Sequence, residues 1–157
     1  MQVAVCGPGV CGAEEAGWAR RVGELLGARG VVVVCGGGGG VMAAAAAGAR
    51  AAGGTVVGVL PGDRPDGAVA DVTVAVATGL GEARNAVIVS SAAAVIAVGG
   101  SWGTLSEIAL ARRAGRPVVQ LGGWRVLDEH GYEPDGIAHA ASPEEAVDRA
   151  VGDWMAG

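Results

Sequence analysis

The chain has 157 residues, 51% of them hydrophobic, and its 11 basic residues, all Arg, face 16 acidic ones for a net charge of −5. With no Lys present, Schiff-base chemistry (pyridoxal-phosphate enzymes, class I aldolases) and a Walker A loop are excluded. The length and hydrophobic content predict one folded domain over residues 1–157, and the interspersed acidic charge argues against nucleic acid as a main partner.

Short apolar runs alternate with helical patterns. Residues 3–6 form a candidate strand that runs into glycines. Residues 14–29 read as a helix, with Ala16, Ala19, Val22, Leu25 and Leu26 on one face and Gly30 just past its end. The valines of 31–35 suit a strand covered on both sides. Residues 41–52 are Ala-rich and helical, stopped by Gly53 and Gly54. A third strand spans 55–60, a turn-rich loop 61–67, and a fourth strand, nearer an edge, 72–76. Residues 84–91 predict a short helix, 94–98 a buried strand, 104–114 a helix closed by Gly115, and 118–121 another strand. Irregular chain over 132–136 leads to a last strand at 137–140. Ser142-Pro143-Glu144-Glu145 is a helix start, with Ser142 as N-cap and Glu145 closing a capping box. That helix continues to about residue 155. This alternation implies parallel βαβ units in a three-layer α/β fold.

Cys6, Cys11 and Cys35 are odd in number and lack metal-ligand spacing, so they read as small apolar residues of a reducing compartment. The first residues lack the features of a signal peptide, and the apolar run at 41–47 is too short to span a membrane. The expectation is a cytoplasmic protein without a membrane partner.

The glycines cluster after strands. Gly7-Pro8-Gly9-Val10-Cys11-Gly12, Gly36 to Gly40, and Gly99-Gly100-Ser101-Trp102-Gly103 each follow one. In a parallel sheet all three lie at the carboxyl edge, where such folds bind ligands. There the backbone can approach a phosphate and the next helix offers free N–H groups. The first cluster fits G-x-G-x-x-G, but the second strand ends without the acidic residue of a dinucleotide site; a tight turn explains it equally well. Arg84, opening a helix after a glycine turn, could clamp a phosphate or be an ordinary surface Arg. Glu107 could be a site carboxylate or the closing member of a Thr104-x-x-Glu107 capping box.

Three segments resemble the LOG (LONELY GUY) superfamily: residues 35–42, Gly81-Glu82-Ala83-Arg84-Asn85, and Gly99-Gly100-Ser101-Trp102-Gly103-Thr104-Leu105-Ser106-Glu107. That group includes cytokinin-activating phosphoribohydrolases and molybdenum cofactor carrier proteins, many labelled "putative lysine decarboxylase". The resemblance implies a Rossmann-like fold with a mostly parallel, doubly wound sheet, and a homodimer or a multiple of dimers. It also implies hydrolysis of the N-glycosidic bond of a nucleoside 5′-monophosphate to free base and ribose 5-phosphate. Gly99, Gly100, Gly103, Thr104 and Glu107 match the family's P-G-G-x-G-T-x-x-E motif, and Arg84 matches its upstream Arg. Val98 replaces the motif's Pro, Asn85 an expected Lys and Ala93 an expected Asp, departures closer to the carrier branch. Without Lys, a lysine-decarboxylase label cannot describe a Schiff-base enzyme here.

Glycosidic cleavage passes through an oxocarbenium-like state that a carboxylate can stabilise. Catalysis is therefore expected at Arg84 and Glu107. Ligand or phosphate binding is expected at Gly7, Gly9, Gly37, Gly38, Gly39, Gly40, Met42, Asn85, Gly99, Gly100, Ser101, Trp102, Gly103 and Thr104. No cofactor and no metal is required; the expected partner is a small phosphorylated ligand such as a nucleoside monophosphate. The other reading is a non-catalytic carrier of a phosphorylated ligand such as molybdenum cofactor. Trp102 could stack on a base or cover a contact between copies. His130 and His139 read as exposed or locally bonded, and Asp128, Glu129, Glu133 and Asp135 as a solvated loop.

Overall fold

Valine runs set the strands, and the glycines behind them turn the chain into helices. A computed structural model describes the backbone of residues 1–155 and the side chains of residues 1–152. The strands are β1 (Gln2–Cys6), β2 (Val32–Cys35), β3 (Val56–Leu60), β4 (Val74–Ala77), β5 (Ala94–Val98), β6 (Val118–Leu121) and β7 (Ile137–Ala140). The helices are α1 (Ala13–Ala28), α2 (Val41–Ala51), α3 (Arg84–Ser90), α4 (Trp102–Arg113) and α5 (Pro143–Met155). The predicted elements are present, with ends shifted by a residue or two.

The sheet runs β4-β3-β2-β1-β5-β6-β7 and every pairing in it is parallel, so the fold is Rossmann-like with a wholly rather than mostly parallel sheet. The chain winds outward from β1 to β4, then returns through α3 to lay β5 on the other side of β1. That reversal separates the loops leaving β1 and β5 and creates a crevice at their carboxyl ends. Helices α1, α2 and α5 cover one face of the sheet, and α3 and α4 the other. Burial on both faces explains why β5 is apolar at each position. Strand β4, at the edge, leaves Val74 and Val76 partly exposed, as its alternating sequence predicts.

Helices α1 and α2 meet backbone to backbone. A Cβ at Gly23 would run into the Ala45 carbonyl oxygen, and one at Gly48 into that of Arg20. Nothing in the sequence reading singled out these two glycines.

Two helix starts differ from expectation. Helix α4 begins at Trp102 rather than Thr104, because Ser101 is the N-cap: the Thr104 N–H donates to Ser101 Oγ at 3.1 Å. The Thr104-x-x-Glu107 capping box therefore does not form, and Glu107 lies buried in the second turn. At α5 the Glu145 N–H donates to Ser142 Oγ at 3.2 Å, while the Glu145 carboxylate accepts from the Ala141 N–H at 2.8 Å. The box thus reaches one residue further out than expected. The acidic loop between β6 and β7 is not simply solvated. Glu133 accepts from Arg125 at 2.8 Å and pairs with His139 at 2.7 Å, and the Arg125 bond holds its carboxyl below the usual range. Among the described residues no helix is long and apolar enough to cross a membrane.

Candidate functional site

The crevice between the ends of β1 and β5 contains a cavity of about 150 Å³. Its wall is made by Gly7, Gly9, Met42, Glu82, Arg84, Asn85, Ser101, Gly103, Thr104 and Glu107. The topology thus brings the β1–α1 turn, the start of α2, the start of α3 and the first turns of α4 to one point. Nine of the residues named from sequence line it: Arg84, Glu107, Gly7, Gly9, Met42, Asn85, Ser101, Gly103 and Thr104.

Gly37, Gly38, Gly39, Gly40, Gly99, Gly100 and Trp102 are not on that wall. Most of these glycines allow loops to press together. Gly40 has a positive φ of 58°, and a side chain there would strike the Pro8 carbonyl that accepts from the Val41 N–H at 3.1 Å. The second glycine loop is thereby locked onto the first. Gly37 packs against Leu60, Gly38 against the Met42 thioether, and Gly39 against the Gly9 carbonyl. Gly99 faces the Glu15 carboxylate, and Gly100 leaves room for Trp124.

Arg84 is the first residue of α3, and its guanidinium lies over Gly36, where any side chain would displace it. Its Nε is buried without a hydrogen-bond partner. The salt bridges among the described residues all involve other cations. Asn85, rather than pointing freely at the cavity, donates from Nδ2 to Ser106 Oγ at 3.1 Å. Ser106 Oγ in turn donates to the Gly103 carbonyl at 2.9 Å, so α3 braces the first turns of α4. With Thr104 N bound to Ser101, the Trp102 and Gly103 N–H groups have no acceptor among the described residues. They carry the positive end of the α4 dipole.

Glu107 is 7% exposed. Burial pushes its carboxyl up to about 7, against the opposing pull of the neighbouring Cys6 thiol and of Arg84; Glu82 adds to the rise. Burial also holds the Cys6 and Cys35 thiols in their protonated form, so neither is a ready nucleophile. A carboxyl raised this far can hold a proton near neutral pH, and is able to accept a proton or to donate a hydrogen bond to an anion.

Three neighbours of the cavity escaped the sequence reading as site residues: Gly36, Glu82 and Cys6. Glu82 sits within the Gly81–Ala83 turn just before Arg84, so its place in that segment was the available signal. Cys6 meets Glu107 only because β1 and α4 converge, which no local pattern reveals.

The raised Glu107 value has a measurable consequence. An acid whose folded pKa exceeds its unfolded one favours folding when protonated, and that advantage is lost as pH rises from about 4.5 through about 7. Glu107→Gln removes the effect. Chemical denaturation is expected to shift in the variant's favour by about 3 kcal/mol between roughly pH 4 and pH 8. A pH-independent difference would contradict the burial of an ionisable carboxyl here.

The model of the SLOG cluster4 family matches residues 1–147. The chain belongs to the SLOG cluster4 family. A protein of Archaeoglobus fulgidus is 42% identical over 151 residues, covering 96% of this chain and 95% of that one. Among solved structures, this SLOG cluster4 chain is similar to the molybdenum cofactor binding protein of Rippkaea orientalis. The TM-score is 0.87 at 32% identity, covering 99% of this chain and 97% of the other. It is likewise similar to the molybdenum cofactor carrier protein of Chlamydomonas reinhardtii, with a TM-score of 0.85, 32% identity, and coverage of 99% and 98%. The resemblance to the LOG superfamily thus holds, on its carrier side.

Proposed function

We propose that this protein binds and carries a phosphorylated small molecule of the molybdenum cofactor class, with the phosphate in the switch-point cavity. The observation that carries this reading is Arg84: a cation on the cavity wall with a buried, unpartnered Nε and no salt bridge among the described residues. A phosphate oxygen satisfies that group, and the free Trp102 and Gly103 N–H groups supply further donors. Glu107, its carboxyl held well above the usual range by burial, tolerates an incoming anion better than an ordinary carboxylate would. The whole-chain likeness to a molybdenum cofactor carrier supports the class of cargo. The expected assembly is a dimer or a multiple of dimers.

A hydrolytic reading has one specific observation in its favour: a carboxyl with a value of about 7 on the same wall as Arg84 suits general acid–base work. In that case Arg84 holds the 5′-phosphate while Glu107 stabilises the sugar or activates water. One pair of experiments separates the two. After incubation with molybdenum cofactor and gel filtration, pterin is expected to elute with the protein. No ribose 5-phosphate is expected from a panel of nucleoside monophosphates. Loss of the pterin on the column, with ribose 5-phosphate release that Glu107→Gln abolishes, would replace the carrier with the hydrolase.

A further inference from the structure

We infer that the ligand site has a second part outside the cavity: the Trp102 indole, propped by Trp124, is a platform for a planar heteroaromatic end of the same ligand. This inference rests on the phosphate-carrier reading.

Size makes the first argument. Pockets for whole drug-sized ligands measure roughly 300–1,000 Å³. At about 150 Å³ this cavity takes a phosphate group and leaves the rest of a nucleotide or pterin outside. Position makes the second. Trp102 stands between Ser101 and Gly103, both on the wall, yet the residue itself is 77% exposed. Val10, next to the wall residue Gly9, and Leu80, two residues before Glu82, are also exposed apolar side chains of these loops.

The platform is held in place. Trp102 and Trp124 meet edge to face, with centroids 4.9 Å apart and planes at 80°. That arrangement leaves Trp102 a free ring face. Trp124 is fixed in turn by two features: the buried Gln120 side chain donates from Nε2 to its carbonyl, and Gly100 has no Cβ to collide with its ring. Gly100 and Gln120 thus act as positioning residues, which explains the second glycine of a loop whose cavity contacts come from Ser101, Gly103 and Thr104. The chemistry that fits is a phosphomonoester with a flat nitrogen heterocycle, purine or pterin, rather than a simple sugar phosphate.

Calorimetric titration with AMP and with ribose 5-phosphate tests this on wild type, Trp102→Ala and Arg84→Gln. Wild type is expected to prefer AMP. Trp102→Ala should cost about tenfold in AMP affinity, the scale of one stacked base, and leave ribose 5-phosphate binding unchanged. Trp124→Ala should show a smaller loss of the same selective kind. Equal losses for both ligands, or none for AMP, would overturn the platform while Arg84-dependent ribose 5-phosphate binding kept the carrier reading intact. If ribose 5-phosphate fails to bind wild type, or binds Arg84→Gln equally well, the phosphate site itself falls and the platform with it. Sedimentation on the same variants covers the remaining occupant. A changed oligomeric state with unchanged AMP affinity would assign Trp102 to a contact between copies and overturn the platform.

Discussion

Replacing Arg84 with Gln is expected to lower affinity for a phosphate-bearing ligand by about 100-fold. Hydrogen bonds to a charged group contribute about 1.5–3 kcal/mol, and Arg84 is the cation on the wall of the cavity, so its loss leaves the phosphate with uncharged donors. The same substitution should not harm folding. It removes a guanidinium whose Nε is buried without a partner, so the melting temperature is expected to stay level or rise. Calorimetry and thermal melts on one preparation separate the two effects. A loss below about threefold would mean that phosphate is held elsewhere.

A large loss of stability is expected at the α1–α2 contact. In an exposed helix Gly→Ala gains about 1 kcal/mol from propensity. At Gly48 the sign should reverse, because the new Cβ would collide with the Arg20 carbonyl of α1 and force the helices apart. A net loss of about 2–3 kcal/mol is expected. For a chain of this length that is a melting-temperature drop of about 4–12 °C. Gly17→Ala is the control, since a Cβ there meets nothing within 4 Å and should stabilise by up to about 1 kcal/mol. Equal responses at the two positions would contradict the close crossing.

What could be read ahead of the structure follows from the range of the forces involved. The fold was legible because strand burial and helix punctuation are local: valine runs such as Val31 to Val34, followed by glycines, announce β-strands and tight βα turns. The site was legible in outline for a topological reason. Loops after parallel strands share one edge, so Arg84, Glu107 and the first and third glycine clusters had to converge there. Glu107 itself stayed ambiguous, because Thr104-x-x-Glu107 is also a capping pattern. Only the N-cap at Ser101, three residues upstream of Thr104, carries the start of α4 back far enough to place Glu107 in the buried second turn. Two further features depend on contacts distant in sequence. The Cys6 thiol under Glu107 requires β1 and α4 to meet, and Gly23 and Gly48 acquire meaning only when α1 crosses α2. The glycine clusters carried two meanings as well. Gly7 and Gly9 line the cavity, whereas Gly40 and Gly100 let neighbouring loops pack.

The central claim is the location of the phosphate, and a crystal structure with bound AMP tests it most directly. The account expects the phosphorus density in the crevice between β1 and β5, with an oxygen about 2.7–2.9 Å from the Arg84 guanidinium. A second cavity of about 480 Å³, lined in part by Arg112 and Arg149, opens at the amino ends of β6 and β7 on the opposite edge of the sheet. Phosphate found there, with the Arg84 cavity empty, would contradict it.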